Sequence, residues 1–245
     1  QSTPAYRGSV LILRVGRGTL AAGGIMEKEW FIHMLPERME ERPVSDKAQE
    51  AAKAAESALR DEDRLIELTD ALSGGSRRAR QNAASALAIV AKESPETLVV
   101  HGSAFVDALN RPEAQTRWEC LDILTMLVDR DSRTCDRAVP GAEAALFDEE
   151  SGLVRLAAMR FLCRLGATTE NRSEKVWPLI DEAIQCWHGD LEFQDMLIAV
   201  ADFSTGKLTP LVKEELESRM KFDAENGKGA LRRRARQIVE NIQAK

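Results

Sequence analysis

Four cysteines, three histidines and an arginine that recurs at near-constant spacing are the residues of this chain best equipped for chemistry. Cys120, Cys135, Cys163 and Cys186 are separated by 15, 28 and 23 residues. No C-x-x-C pair is therefore available to hold zinc or to cycle a disulfide. His33, His101 and His188 are equally scattered, and no H-E-x-x-H occurs. The sequence predicts no metal and no cofactor. Most of the thiols lie in strongly helical stretches, which predicts buried, reduced cysteines and a cytoplasmic protein. The carboxylates come in runs such as Asp61-Glu62-Asp63 and Glu214-Glu215-Glu217. Solvated helix faces and helix N-termini account for such runs more simply than acid–base catalysis does. With no G-x-S-x-G and no P-loop either, the expectation is a protein that is not an enzyme. Gly16-Arg17-Gly18-Thr19-Leu20-Ala21 spells G-x-G-x-x-A after the apolar run Val10–Leu13. A dinucleotide site needs a helix and then a second strand at that point, and the chain runs instead into unbroken helical pattern.

The arginine carries more information. Arg155 is followed by Ala158, Phe161, Leu162 and Leu165, at offsets of three, six, seven and ten. The same offsets follow Arg80 (Ala83, Ala86, Leu87, Val90), Arg117 (Cys120, Ile123, Leu124, Leu127) and Arg232 (Ala235, Ile238, Val239, Ile242). Gln194 opens a degenerate copy with Leu197, Val200 and Ala201, which Ser204 spoils at the last position. The five anchors are 37, 38, 39 and 38 residues apart. Those offsets lie on one face of an α-helix, so five copies in register predict five packed helices. A second amphipathic stretch precedes each copy, clearest in Val176, Trp177, Leu179, Ile180, Ala183, Ile184 and Trp187. Pro140 and Pro178 lie 15 and 16 residues before their anchors, and Gly102 lies 15 before Arg117. A helix breaker at one repeat position predicts a built-in kink in the first helix. Ser94-Pro95 and Arg111-Pro112 put proline at expected first turns.

A first helix kinked near proline, a short turn and a second helix reading V-R-x-x-A-x-x-x-L, as in Val154-Arg155, Ala158 and Leu162 after Asp148, resembles the HEAT-repeat family. The resemblance covers about residues 60–245. It implies an all-α fold, a right-handed α-α superhelix of about five two-helix repeats. It also implies that Arg80, Arg117, Arg155 and Arg232 form a structural inter-repeat ladder with acidic partners. The organisation expected is a leader over 1–25, an N-terminal segment and capping helix over 26–60, and the repeats over 61–245. The capping helix would start at a Ser45 cap and pack through Ala48, Ala51, Ala52, Ala55 and Leu59. Trp30, Phe31, Met34 and Leu35 are expected to fold back on the array.

Ala22-Gly23-Gly24-Ile25-Met26 is encodable by a purine-rich AGGAGG stretch just before a Met26 codon, as at a bacterial ribosome-binding site. The expectation is a bacterial protein whose natural start is Met26, with a non-native leader before it. Arg14 and Arg17 interrupt the apolar stretch that a signal peptide would need.

HEAT-like arrays bind partners on a concave face lined by second helices. Positions one and five after each anchor are expected to point away from the core. They give the candidate partner-binding residues Trp118, Asp122, Leu156, Arg160, Asp195 and Arg233, with Trp118 beside Leu156 either an apolar hot spot or ordinary packing over a neighbouring helix. The expected partner is a protein or peptide. An alternative is a HEAT-like DNA-binding alkylation-repair protein, whose cleft Trp118, Asp122 and Arg160 would imitate. Charge weighs against it: the chain carries −6. Residues 1–25 hold three arginines and no acid, leaving 31 basic against 40 acidic residues, or −9, over 26–245. Nucleic acid is the less favoured partner of so acidic a body. The basic run Lys228, Arg232, Arg233, Arg234 and Arg236 reads as a solvated end, and no span is long enough for a membrane.

Overall fold

The computed structural model describes residues 46–244. The leader, the Met26 start, the Trp30–Leu35 cluster and the Ser45 cap lie outside the described residues. Within them the chain forms α1 (Asp46–Ala58), α2 (Glu62–Ala71) and α3 (Arg77–Glu93). A 3-10 segment (Pro95–His101) then runs into α4 (Gly102–Ala108), followed by α5 (Ala114–Leu127), α6 (Ser132–Leu146) and α7 (Gly152–Gly166). The rest are α8 (Glu170–Cys186), α9 (Phe193–Ser204), α10 (Pro210–Asn226) and α11 (Gly229–Gln243). There is no strand among the described residues.

Local chemistry starts these helices. Asp61, Ser76, Asp131, Ser151, Thr169 and Thr209 each accept a backbone N–H of the first turn that they open. A cap of this kind contributes about 1 kcal/mol. In chain order the helices make five units, α2/α3, α4/α5, α6/α7, α8/α9 and α10/α11, although α8 packs chiefly on α7 and also on α10. The second helices stack in order, α3 on α5, α5 on α7, α7 on α9 and α9 on α11, and α1 occupies the corresponding place before α3. The molecule is an all-α solenoid, and its core follows the sequence stripe. Leu87, Val90, Ile123, Leu124, Phe161, Leu162, Leu197, Val200 and Ile238 are all fully buried. Each large side chain of this kind is worth about 1.5–3 kcal/mol on burial. Ser204, the odd member of its stripe, is also buried. Its hydroxyl donates to the Ala201 carbonyl and accepts from Asn241 Nδ2, so the polar group costs little there.

Some details differ from expectation. In α1 the buried face is Ala51, Ala55 and Ala58, while Ala48 and Ala52 are exposed. The stripe is rotated because α1 touches both α2 and α3. Pro112 precedes the Glu113 cap rather than sitting in the first turn of α5. Pro140 and Pro178 do lie inside α6 and α8. At Gly102 the equivalent helix changes from 3-10 to α geometry. A side chain on Gly102 would meet Thr134 Cγ2 at 2.9 Å, so glycine lets α4 approach α6.

Candidate partner-binding face

The arginine anchors sit at the junctions between second helices. Arg80 donates from Nη1 to the Gly74 carbonyl of its own loop at 2.7 Å, and from Nε to Glu113 of the next loop at 3.1 Å. Arg117 pairs with Asp148 at 2.7 Å. Arg155 donates to the Asp148 carbonyl at 2.8 Å, binds Glu192 and Asp190 of the next loop, and lies 4.2 Å over the Trp187 ring. The Trp187 indole donates in turn to the Leu146 carbonyl at 3.0 Å. Arg80 and Arg155 each tie one loop carbonyl to the following unit's carboxylate, and Arg117 reaches that carboxylate alone. Arg232 is exposed and has no ion pair among the described residues.

Charge shifts follow this geometry. The Arg80 hydrogen bond holds the Glu113 carboxyl below its usual range. For Asp148 burial pushes upward, but the hydrogen bond from Arg117 and those from the Ser151 and Glu150 N–H groups together win, and its carboxyl is lowered.

A parallel set of pairs joins the first helices. Arg172 binds Asp136 at 2.8 and 2.7 Å, and Arg219 binds Asp181 at 2.6 and 3.0 Å. The sequence reading missed both. The signal was there, since each pair is one repeat apart, but it lies outside the anchor register.

The candidate partner-binding residues separate into three groups. Asp122 and Trp118 are half-buried on α5, and Trp118 packs against the core. Arg160 on α7, Asp195 on α9 and Arg233 on α11 are exposed. Leu156 does not belong with them. It is 6% exposed and part of the core, so Trp118 has no open apolar neighbour there. The reason is packing: α7 is enclosed by α5, α6, α8 and α9, and everything from Val154 to Met159 is buried.

The same face carries two grooves. One of about 450 Å³ runs between α7 and α9, with Arg160 and Arg164 on one wall and Asp195 and Asp202 on the other. Ile198, Ala199 and Phe203 contribute its apolar surface. Arg164 is engaged by Asp129 in the turn after α5, and Arg160 lies in the field of Asp122. The second groove, about 350 Å³, lies against α1, α3 and α5 and is lined by Lys47, Arg78, Gln81, Asn82, Ser85 and Gln115, among others. At its edge Glu119 accepts from the Ser85 hydroxyl at 2.9 Å and from Gln115 at 3.2 Å. Burial raises the carboxyls of Glu119 and Asp122 against these partners and against the nearby Lys92 and Arg160.

Nothing in these grooves assembles a nucleophile with a base. Burial pushes the Cys135 thiol up to about 12 and drives Cys120 and Cys163 upward as well. All four cysteines are free; Cys186, at the end of α8, is exposed rather than buried as expected. No cluster of metal-ligating side chains occurs among the described residues. None of their helices is long and apolar enough to cross a membrane.

No family model matches the chain, and no curated protein matches it. Solved structures do resemble it. A designed armadillo repeat protein in complex with the peptide (KR)4 is 16% identical, with 80% of this chain and 90% of that chain covered and a TM-score of 0.64. An engineered protein is 15% identical over 81% of this chain and 88% of its own, with a TM-score of 0.63. The archaeal HEAT-like repeats protein from Thermococcus onnurineus NA1 is 16% identical over 82% of this chain and 98% of that one, with a TM-score of 0.51. At such identities the likeness establishes the fold alone: a helical-repeat solenoid.

Proposed function

We propose that the protein is a non-enzymatic scaffold that binds a protein or extended peptide along the face of its second helices. The observation that carries this reading is the gathering of both grooves, the half-buried Trp118 and the unpaired Asp195 and Asp202 on that one face. Tryptophan at the centre of a face, flanked by polar groups, is the composition of an interaction hot spot. Asp122, on the same face and raised by burial, is placed to gain when a donor arrives. The designed armadillo neighbour, which holds a (KR)4 peptide, supports the same mode of use for a stacked-helix surface. Free cysteines with no disulfide among them favour a cytoplasmic setting.

Selection of a displayed linear-peptide library on the immobilised protein tests the reading. Enriched peptides are expected to bind with micromolar affinity and to lose about tenfold or more with Trp118→Ala or with Asp195→Asn/Asp202→Asn. Absence of enrichment, or affinities untouched by either variant, would refute it. So would micromolar binding of double-stranded DNA that weakens steeply with salt, which would restore the repair-protein reading.

A further inference from the structure

The two grooves differ in the charge they leave unpaired, and the difference sets a direction. Around the α1–α3 groove, Lys47, Arg78 and Lys92 are exposed. The single ion pair there, Arg78 with Glu50 at 3.4 Å, leaves both side chains more than half exposed. Such a pair is weak and exchangeable. Around the α7–α9 groove the balance is reversed. Of the two arginines on α7, Arg164 is taken up by Asp129 in the turn after α5, and Arg160 shares its surroundings with Asp122 of α5. Asp195 and Asp202 on α9 are exposed and have no ion pair among the described residues. Seven residues apart, they lie on one helix face at about 10 Å separation.

Resting on the peptide-binding reading above, we propose that the occupant of this face is an extended peptide with segregated charge. Its acidic residues meet Lys47 and Arg78, and its lysines or arginines meet Asp195 and Asp202. Stacked helices are about 8–10 Å apart, so α3 and α9, three steps apart, are separated by about 24–30 Å. An extended chain at about 3.3 Å per residue covers that in roughly seven to nine residues. Opposite charges at the two ends fix one orientation and penalise the reversed one, because each end then meets like charge. Trp118 lies between them on α5 and offers its ring to an apolar residue in the middle of the peptide.

Two fluorescein-labelled synthetic peptides of about 12 residues and identical composition test this by anisotropy on the full chain. One has glutamates at one end, alternating serine and leucine in the middle and lysines at the other end. The second interleaves the same residues. The segregated peptide is expected to bind about tenfold tighter at low salt, an advantage that shrinks in high salt. It is also expected to lose that advantage in Lys47→Glu/Arg78→Glu and, separately, in Asp195→Lys/Asp202→Lys, with far-UV circular dichroism reporting retained folding. Equal affinity for both peptides overturns the charge polarity. If library-selected peptides still bind in that case, the scaffold reading survives it; if they do not, both fall.

Discussion

The junctions α3–α5, α5–α7 and α7–α9 are each closed by an arginine that reaches into the next loop, whereas α9–α11 is closed by other means. At that last junction the anchor is Gln194, whose Oε1 is buried without a hydrogen-bond partner. Asn241 takes its place, donating to the Ala201 carbonyl at 3.1 Å and to the Ser204 hydroxyl at 2.9 Å, while His188 Nε2, 3.2 Å from Asp223, ties the loop before α9 to α10. The contrast teaches that apolar stacking sets the array while the ladder pins its register. The α9–α11 interface keeps the stripe Leu197, Val200, Ile238 and dispenses with the clamp. In a solenoid stability is roughly a sum over neighbours, so a weaker junction is a local property that experiment can isolate.

The largest expected effect comes from breaking the best-furnished clamp. Arg155 is 8% exposed and serves Glu192, Asp190, the Asp148 carbonyl and the Trp187 ring together. Arg155→Ala strands a largely buried carboxylate and is expected to cost about 3–5 kcal/mol. Urea unfolding measures it, and a loss below about 1 kcal/mol would make the ladder ornamental. Arg232→Ala, at the exposed anchor, is expected to leave the midpoint unchanged.

Acid is expected to act on the two regions with opposite sign. Glu113, Asp148 and Asp136 have lowered carboxyls, so they stabilise the fold above their unfolded values near pH 4 and lose that contribution as pH falls through the folded ones. Glu119 and Asp122 have raised carboxyls, so protonation relieves a burial cost, and it begins at higher pH. Urea midpoints are expected to hold or rise slightly on acidification toward pH 5 and to fall below about pH 4. In Glu119→Gln/Asp122→Asn the early rise should vanish while the later fall remains. A fall that begins at pH 6 in both proteins contradicts this assignment. Hydrogen exchange offers a finer reading: amides of α10 and α11 should exchange ahead of those of α5 and α7 at neutral pH.

Much of this arrangement was legible in the sequence, for a reason specific to repeats. One arginine followed by an apolar stripe is commonplace, but five in register exclude most other folds, and the buried faces of α3, α5, α7, α9 and α11 followed from it. Leu156 shows where the reading ends. Its offset places it opposite the stripe, which is correct for a helix packed on one side and fails for α7, packed by four neighbours. Cys186 fails for the converse reason, because it falls at the open end of α8. The Arg172–Asp136 and Arg219–Asp181 pairs were hidden because they follow the repeat without sharing the anchor position. Direction of charge across the grooves depends on which ion pairs form, and Arg164 choosing Asp129 over Asp195 or Asp202 is a tertiary fact.

The smallest effect is the sharpest test of the comparison, because it tries to install what the last junction lacks. The acids reached by Arg80 and Arg155 include residues four before the next anchor, Glu113 and Asp190. At α11 that position is Lys228, whose charge has the wrong sign to receive an arginine. Gln194→Arg alone is therefore expected to destabilise, since it brings a second cation into a half-buried junction, and Lys228→Glu alone is expected to be near neutral at an exposed site. Together they recreate the clamp, and a double-mutant cycle should show favourable coupling of about 0.5–3 kcal/mol. Coupling of that sign means the α9–α11 stack retains the geometry of the other junctions and has lost only the residues. Zero coupling means Asn241 holds a different approach of the two helices, and the repeat is broken in geometry as well as in sequence.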